Sequence, residues 1–288
     1  MLFSVVTPSR NALDELRRCV GSVRGQQGVA VEHIVQDGAS ADGTAAWLRE
    51  QAGVDGRSEP DDGMYDAINR GWARAHGDVL SWLNADEQYL PGALAAVAAV
   101  FRADHSLELL TADTVVVDDA GNALAARRET PLRTAFVRHH FLHTASCATF
   151  FRRSLREENR LRFDPRYRFA GDMDLILRLL ETGVRTRHLR RFVALFGAAG
   201  RNLGALPEAR EEARRVRARH GGGRAPLRAA LIRLRRVGER ALRGHYVPVS
   251  LEYDYALDDT PHYRHVAARR LPGRFDIHRH AHARSADS

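Results

Sequence analysis

The stretch that decides the fold covers residues 2–49 and opens with Leu2-Phe-Ser-Val-Val-Thr-Pro-Ser-Arg-Asn11. Apolar runs at 2–6 and 31–36 predict two buried strands, each followed by turn-forming residues. Leucines and valines at helical spacing predict helices over 12–23 and 42–49. This alternation predicts an α/β fold with a mostly parallel central sheet flanked by helices, in which ligands bind outside the carboxyl ends of the strands.

The same alternation continues toward the middle of the chain. The polar residues 56–63 predict a loop, and the next segments predict a helix over 64–75, a strand over 78–83 and a helix from Pro91 to about 101. Residues 114–117 and 123–126 flank a turn and predict a hairpin, and a later helix begins at Gly171 and ends at Gly183. Acidic residues follow several of these elements directly.

The composition excludes several classes of enzyme. The 288 residues carry a net charge of +8, and every one of the 44 residues counted as Lys or Arg is arginine. Schiff-base lysines and P-loop lysines are therefore ruled out. Cys19 and Cys147 belong to no disulfide or zinc motif, so we expect both to be buried apolar residues. The sequence contains neither a signal peptide nor a long apolar run, which predicts a cytoplasmic protein.

The composition changes near residue 204. We predict a first domain over 1–204 and, over 205–288, an arginine-rich helical extension that ends in a poorly ordered tail. Within the basic segment 205–244, one predicted helical face carries leucines, at Leu227, Leu231, Leu234 and Leu242. Such a segment is either a solvated charged surface or a peripheral attachment to anionic lipid at the inner face of the plasma membrane.

Three aspartates lie where predicted elements meet: Asp37 and Asp86 each follow a strand, and Asp172 begins a helix. Taken singly, each also fits an ordinary turn or helix cap. In a doubly wound sheet, however, these positions converge on one crevice. Asp174 competes with Asp172, although the two should point away from each other on a helix.

The motifs around these aspartates resemble the inverting family 2 glycosyltransferases of the GT-A fold, over roughly residues 2–200. Four segments carry the resemblance: Phe3-Ser-Val-Val-Thr-Pro-Ser-Arg-Asn11, His33-Ile-Val-Gln-Asp-Gly-Ala-Ser-Ala-Asp-Gly-Thr44, Ser58-Glu-Pro-Asp-Asp-Gly-Met-Tyr-Asp-Ala-Ile-Asn-Arg-Gly71 and Gly77-Asp-Val-Leu-Ser-Trp-Leu-Asn-Ala-Asp86. The resemblance implies sugar transfer from a nucleotide-sugar donor, a UDP-sugar by preference, to a saccharide or lipid-linked acceptor in bacterial surface polysaccharide or glycolipid synthesis.

The resemblance also implies a role for particular residues. Asp86 would bind Mn²⁺ or Mg²⁺, which prefer oxygen ligands and neutralise a diphosphate leaving group. Asn84 replaces a usual aspartate and can hydrogen-bond a ribose hydroxyl or a metal-bound water. Asp172 would be the general base. The other implied donor contacts are Pro8, Asp37, Glu59, Asp66 and Asn69, of which Asp37 would bind the pyrimidine base.

Two other functions compete with this interpretation. A sugar nucleotidyltransferase would show a glycine-rich phosphate loop after the first strand, but residues 7–11 contain no glycine. A nucleic-acid-binding module would pair the basic extension with aromatic stacking residues, and no such motif accompanies the arginines. His139, His140 and His143 lack the spacing of a metal site.

Overall fold

The predicted alternation of strands and helices is present in the computed structural model, which describes residues 1–198, 206–223 and 226–275. The strands are β1 Leu2–Ser9, β2 Ala30–Asp37, β3 Val54–Ser58, β4 Val79–Trp82, β5 Gln88–Tyr89, β6 Leu109–Val117, β7 Ala123–Arg127, β8 Thr149–Arg152, β9 Thr186–Gly197, β10 Val249–Ala256 and β11 Tyr263–Leu271. The helices are α1 Leu13–Arg24, α2 Thr44–Glu50, α3 Met64–Arg74, α4 Ala93–Ala103, α5 Thr134–His139, α6 Ser154–Glu157, α7 Gly171–Glu181, α8 Pro207–Arg219 and α9 Pro226–Leu242.

Within the described residues, nine strands form one sheet in the order β3-β2-β1-β4-β8-β6-β9-β5, with β7 paired to β6. Strands β1, β2, β3, β4, β6 and β9 all run in one direction, whereas β5, β7 and β8 run in the other. The mostly parallel sheet predicted from sequence is thus confirmed. Because the parallel strands share a direction, their carboxyl ends lie along one edge.

Apolar side chains cover both faces of the sheet. On one face, Trp72 of α3 packs against Trp82 of β4, Phe151 of β8 and Phe163. On the other face, α1 and α4 cover Phe3 and neighbouring strand residues. Gly71 brings α3 close to β1, because a Cβ at this position would lie 2.4 Å from a methyl group of Val6. Burial of both faces explains why the central strands are apolar runs.

Most first-half elements agree with the sequence prediction; the differences are at residues 56–63 and in β5 and α5, which were not predicted. The predicted loop there was partly wrong, since its residues 56–58 belong to β3, which pairs in parallel with β2 at the edge of the sheet. Four of the five β3 residues are exposed. An exposed edge strand buries too little apolar surface to show a strand pattern in its sequence.

The C-terminal region contains a β-hairpin as well as helices. The sequence predicted helical structure after residue 204, but β10 and β11 pair antiparallel over 249–271. Tyr253 and Tyr255 of this hairpin pack on Val115 and Leu195 of the main sheet and on Leu90, which follows β5. The predicted helix with the leucine face is present as α9, and α8 precedes it. The predicted boundary near 204 and most of the predicted disordered tail lie outside the described residues.

None of the helices in the described ranges is both long enough and apolar enough to cross a lipid bilayer.

Candidate active site

A cavity of about 800 Å³ lies at the carboxyl ends of the parallel strands. Pro8 contributes from the end of β1, Asn84 and Asp86 follow β4, Asp118 and Asp119 follow β6, and Gly197 ends β9. Asp172, at the start of α7, lines the same cavity. Parallel β1, β4, β6 and β9 bring these distant residues to one edge, as the doubly wound pattern predicts.

The turn that carries Asp86 is held by the buried carboxylate of Glu87. This carboxylate accepts a hydrogen bond from the backbone N–H of Asn84, at 2.8 Å, and another from the hydroxyl of Ser146. The backbone N–H of Leu83 donates to Val6 O at 2.9 Å, which extends the sheet to the start of the turn. The turn residues are therefore fixed from both sides, and the Asp86 side chain is left facing the cavity.

Negative charge accumulates around Asp86. Its carboxylate reaches the open space of the cavity but has protein on its other sides, and this loss of hydration raises its pKa. Glu15 and Asp119 raise this pKa further through their charges. Burial raises the pKa of neighbouring Glu87 as well, and the charge of Asp86 adds to the effect. A cation bound here would relieve this repulsion.

The oxygen atoms at this turn fit a divalent metal shared with a donor. Asn84 Nδ2 donates to Ser146 Oγ at 3.3 Å, whereas the buried Asn84 Oδ1 has no hydrogen-bond partner. An unpaired buried oxygen beside an accessible carboxylate suits a hard cation or its bound water. Among the described residues, no group of three or more His, Cys, Asp or Glu side chains could hold a metal unaided. The remaining ligands would have to come from the donor and from water.

Gly197 determines how closely β9 approaches Asp86. A Cβ at this position would lie 2.9 Å from the backbone oxygen of Asp86 and 3.0 Å from its Oδ2. Any larger residue would therefore push against the predicted metal ligand. Glycine is needed here for close approach of two chain segments.

Asp172 and Asp174 take different directions on α7. Asp172 lines the cavity, and its Oδ1 lies 3.4 Å from the Tyr65 hydroxyl, which donates to it. Burial raises the pKa of Asp172 to about 6. Asp174 is buried and instead accepts hydrogen bonds from Arg178 at 2.7 Å and from His220 at 3.2 Å. The geometry therefore favours Asp172 over its competitor as a base.

The segment before Asp172 is held by Glu212 of α8. The half-buried backbone N–H groups of Arg168, Phe169 and Ala170 all donate to the Glu212 carboxylate, at 2.7 to 3.1 Å. These three N–H groups make four charge-assisted hydrogen bonds that fix the chain leading into α7. The C-terminal extension thus contributes directly to the position of the predicted base. Sequence reasoning missed this residue because its partners are backbone groups 42 to 44 positions away.

Pro8 and Asp37 end the adjacent strands β1 and β2. Pro8 lines the cavity, whereas Asp37 is fully buried and does not line it. The Asp37 carboxylate accepts hydrogen bonds from the Ser40 N–H at 3.0 Å, from the Ser40 hydroxyl and from the Ser58 hydroxyl at 2.6 Å. Asp37 therefore shapes the turn beside the cavity, and its contact with a nucleotide base stays a prediction.

The structure does not bring Glu59, Asp66 and Asn69 into the cavity. Glu59 and Asp66 both pair with Arg70, at 3.3 and 2.7 Å. The Asn69 amide is bound on both sides to the backbone of Phe163, at 2.9 Å each. The Asn69 amide thus joins α3 to the segment before α7, and the donor contacts of all three residues stay predictions.

The cavity also contains residues that the sequence analysis did not single out. Glu15, Arg10 and Arg168 line it, as does Tyr255 from the hairpin β10–β11. Gly121 makes room for the Tyr255 ring, which lies 2.5 Å from where a Cβ would be. Arg10 stands in the first motif segment, residues 3–11, but was given no role there. Glu15, Arg168 and Tyr255 stand in no motif, although alternating apolar residues over 249–255 could have indicated a strand. The three clustered histidines do not line the cavity.

A model of the family described as glycosyl transferase family 2 matches residues 4–160. The match covers more than half of the 288 residues. The chain belongs to family 2 of the glycosyltransferases. This confirms the resemblance seen in the motifs, and it makes the protein a glycosyltransferase by family.

Relatives of this glycosyltransferase align with parts of the chain. An uncharacterized glycosyltransferase of Mycobacterium tuberculosis is 46% identical over 89 residues, which cover 30% of this chain and 34% of the relative. A putative teichuronic acid biosynthesis glycosyltransferase of Bacillus subtilis is 29% identical over 154 residues, covering 52% of this chain and 55% of the relative. The chain thus spans about a third to about half of the length of these relatives.

Solved structures share the fold of this glycosyltransferase. Staphylococcus aureus TarS 1-349, solved with UDP-GlcNAc, superposes with a TM-score of 0.62 at 18% identity, covering 76% of this chain and 66% of that one. The mannosyltransferase PcManGT of Pyrobaculum calidifontis, solved with GDP-Man and Mn²⁺, superposes with a TM-score of 0.58 at 17% identity. This match covers 83% of this chain and 75% of that one. These similarities establish the GT-A fold predicted from sequence.

Proposed function

We propose that this glycosyltransferase transfers a hexosyl group from a UDP-sugar to a hydroxyl group of a saccharide or lipid-linked acceptor, with inversion at the anomeric carbon. The observation that carries the proposal is that Asp86, Asn84 and Asp172 line one cavity. Its volume of about 800 Å³ suits a nucleotide sugar and the end of an acceptor.

The donor would lie between Pro8 and the Asp86 turn. Asp86, and Asn84 directly or through water, would hold Mn²⁺ or Mg²⁺ against the donor phosphates. When bound, the cation supplies positive charge that stabilises the departing nucleoside diphosphate. Arg10 and Arg168 line the same cavity and add positive charge for the phosphates. The carboxylates of Glu15 and Asp119, near Asp86, would add to the attraction of the site for a cation.

The acceptor would lie beside Asp172. The acceptor hydroxyl oxygen forms a bond to the anomeric carbon as the bond from that carbon to the diphosphate oxygen breaks. The electron pair of the breaking bond leaves with the diphosphate, and the hydroxyl proton passes to the Asp172 carboxylate. A single displacement with one base inverts the configuration and forms no covalent enzyme intermediate. Tyr65 and Glu212 would keep Asp172 in place.

The comparisons support the donor class and the biological setting. One structural neighbour was solved with UDP-GlcNAc and another with GDP-Man and Mn²⁺. The Bacillus subtilis relative is named for teichuronic acid biosynthesis. We therefore propose a role in the synthesis of a bacterial surface polysaccharide or glycolipid.

The proposal is tested by nucleotide release from UDP-, GDP- and dTDP-sugars with Mn²⁺, Mg²⁺ or chelator, using the wild type, Asp86→Ala and Asp172→Asn. We expect metal-dependent release from a UDP-sugar that is lost in both variants. Calorimetric titration with UDP should show binding that Asp172→Asn retains. Absence of binding for every nucleotide would refute the proposal, and turnover by Asp172→Asn at the wild-type rate would refute the assigned base.

A further inference from the structure

Helix α9 packs on the rest of the protein through its charged side. Across the described residues of α9, the buried side chains are Arg236 and Arg240. Both donate to Glu129 Oε2, at 2.8 and 2.7 Å. The Arg236 guanidinium also lies 4.5 Å from the centre of the Phe141 ring. A surface helix ordinarily buries its apolar stripe and exposes its charges, so the orientation of α9 is inverted.

The apolar stripe of α9 faces away from the protein. Leu227, Leu231, Leu234 and Leu242 are exposed by 75%, 59%, 68% and 92%. At about 100° per residue these leucines fall within a sector of about 80°, on the side opposite Arg236. Exposing four leucines on one helical face does not stabilise a monomeric protein. Such an apolar patch marks a surface that binds a partner or a membrane.

Positive charge borders the leucine stripe. Arg228 and Arg235 are exposed and lie next to the leucines on the helical wheel. The helix contains five arginines and one glutamate, in a chain whose net charge is +8. Long arginine side chains can reach phosphate groups while leucines enter an apolar layer beneath them.

We propose that α9 lies in the surface of a membrane that contains anionic lipid. The leucine stripe would enter the boundary between headgroups and acyl chains, and Arg228 and Arg235 would bind lipid phosphates. A second copy of this chain fits the stripe less well. Two copies meeting through this face would place the same arginines opposite one another and would repel.

The position of α9 relates the proposed membrane docking to the cavity. Phe141 contacts Arg236 of α9, and the next residue, Leu142, lines the cavity. Because the leucine stripe is on the side of α9 opposite Arg236, the thickness of one helix would separate a membrane bound there from Phe141 and the cavity wall. A lipid-linked acceptor would have to extend past α9 to reach Asp172. The docking itself goes beyond the proposed reaction, since it can be measured without turnover.

The test is flotation of the full chain with vesicles of phosphatidylglycerol and phosphatidylethanolamine, compared with vesicles of phosphatidylcholine. The variant Leu231→Glu/Leu234→Glu removes the centre of the stripe at exposed positions. The matched control is Leu257→Glu, because Leu257 is 40% exposed and lies outside α9. A second variant, Arg228→Gln/Arg235→Gln, removes the bordering charge. Thermal unfolding of every variant verifies that it folds.

We expect the wild type and Leu257→Glu to float with the anionic vesicles only. Leu231→Glu/Leu234→Glu should bind the anionic vesicles at least about tenfold more weakly than the wild type. Vesicle binding by Arg228→Gln/Arg235→Gln should no longer depend on salt concentration. Equal flotation of the leucine variant and the wild type would overturn the proposal, and so would equal binding to both kinds of vesicle. A wild type that forms dimers without floating, and becomes monomeric in the leucine variant, would show instead that a second copy covers α9.

Discussion

At the scale of single residues, the site depends on Asp86, whose ionised form is destabilised by burial and by neighbouring carboxylates. Asp86 shares its surroundings with Glu15, Glu87 and Asp119. We expect Asp86→Asn to lower kcat/KM by on the order of a hundredfold, because it removes the charge that would hold the cation. Steady-state nucleotide release at varied Mn²⁺ measures the effect. The control is Asp14→Asn, since Asp14 is exposed on α1 and does not line the cavity; a similar loss in both would contradict a specific role.

The raised pKa of Asp172 predicts a pH profile. A base must be deprotonated to accept a proton, and burial places the pKa of Asp172 at about 6. Activity should therefore fall as pH drops below about 6 and should level off above it. The profile is measured at saturating metal, so that a bound cation keeps Asp86 ionised. Asp174→Asn should keep the same profile, and a shift of the midpoint in that variant would count against Asp172.

Sequence alone predicted that Asp86 and Asp172 would share one crevice, and both line the cavity, but it did not show which nearby helix residues reach the cavity. The aspartates follow from the order of strands, which fixes where their carboxyl ends meet. Asn69 was assigned to the donor side as well. Nothing in the local sequence shows that its amide binds the backbone of Phe163, a residue 94 positions away. Long-range backbone partners leave no trace in a local pattern.

At the scale of elements, Glu212 joins α8 to the start of α7. Glu212→Ala would leave three backbone N–H groups without their acceptor, and Asp172 would lose its fixed position. We expect kcat to fall by about tenfold to a hundredfold while KM for the donor changes little. Glu211→Ala is the matched control, because Glu211 is exposed on the same helix. A fall in thermal stability with unchanged kcat would limit Glu212 to a structural role.

The close approach of β9 to the Asp86 turn makes a second prediction. In Gly197→Ala the new methyl group would meet Asp86 at 2.9 Å and displace it or β9. We expect weaker activation by Mn²⁺, seen as a higher metal concentration for half-maximal rate. Gly238→Ala should have no such effect, because a Cβ there meets nothing within 4 Å. Equal metal activation in both variants would show that the site tolerates the methyl group.

The elements missed by the sequence analysis are those with little burial or a weak local signal. Strand β3 is mostly exposed, so its residues look like a loop. The hairpin β10–β11 buries mainly one face, and its arginine-rich surroundings concealed the alternation of Leu251, Tyr253 and Tyr255. Strands β1, β2 and β4 were predictable because both of their faces are covered, whereas no strand was predicted at β8 or β9.

At the scale of the whole molecule, one buried ion cluster joins the extension to the sheet. Burial alone would raise the pKa of Glu129, but Arg127, Arg240 and Arg236 lower it. Removing this carboxylate leaves buried guanidinium groups uncompensated. We expect Glu129→Gln to reduce the free energy of unfolding by about 3 to 5 kcal/mol at neutral pH. Chemical denaturation measures this, with the exposed Glu252→Gln as control.

The lowered pKa of Glu129 also sets the pH range of its contribution. The contribution of ionised Glu129 to the free energy of unfolding is complete above the ordinary carboxyl pKa. This contribution is lost as pH falls through the lower pKa that Glu129 has in the folded protein. The difference in stability between the wild type and Glu129→Gln should therefore shrink in acid. A constant difference from neutral pH to strongly acidic pH would contradict this assignment.

The cavity joins residues from the two ends of the described chain, from Pro8 to Tyr255. During synthesis, ribosomes add about 5 to 20 residues per second, so Tyr255 is added roughly ten seconds or more after Pro8. The sheet around β1 can form early, but its pocket stays open on the side that the hairpin closes. A nascent chain would thus bind donor poorly, and the enzyme would become competent only when translation has passed the hairpin.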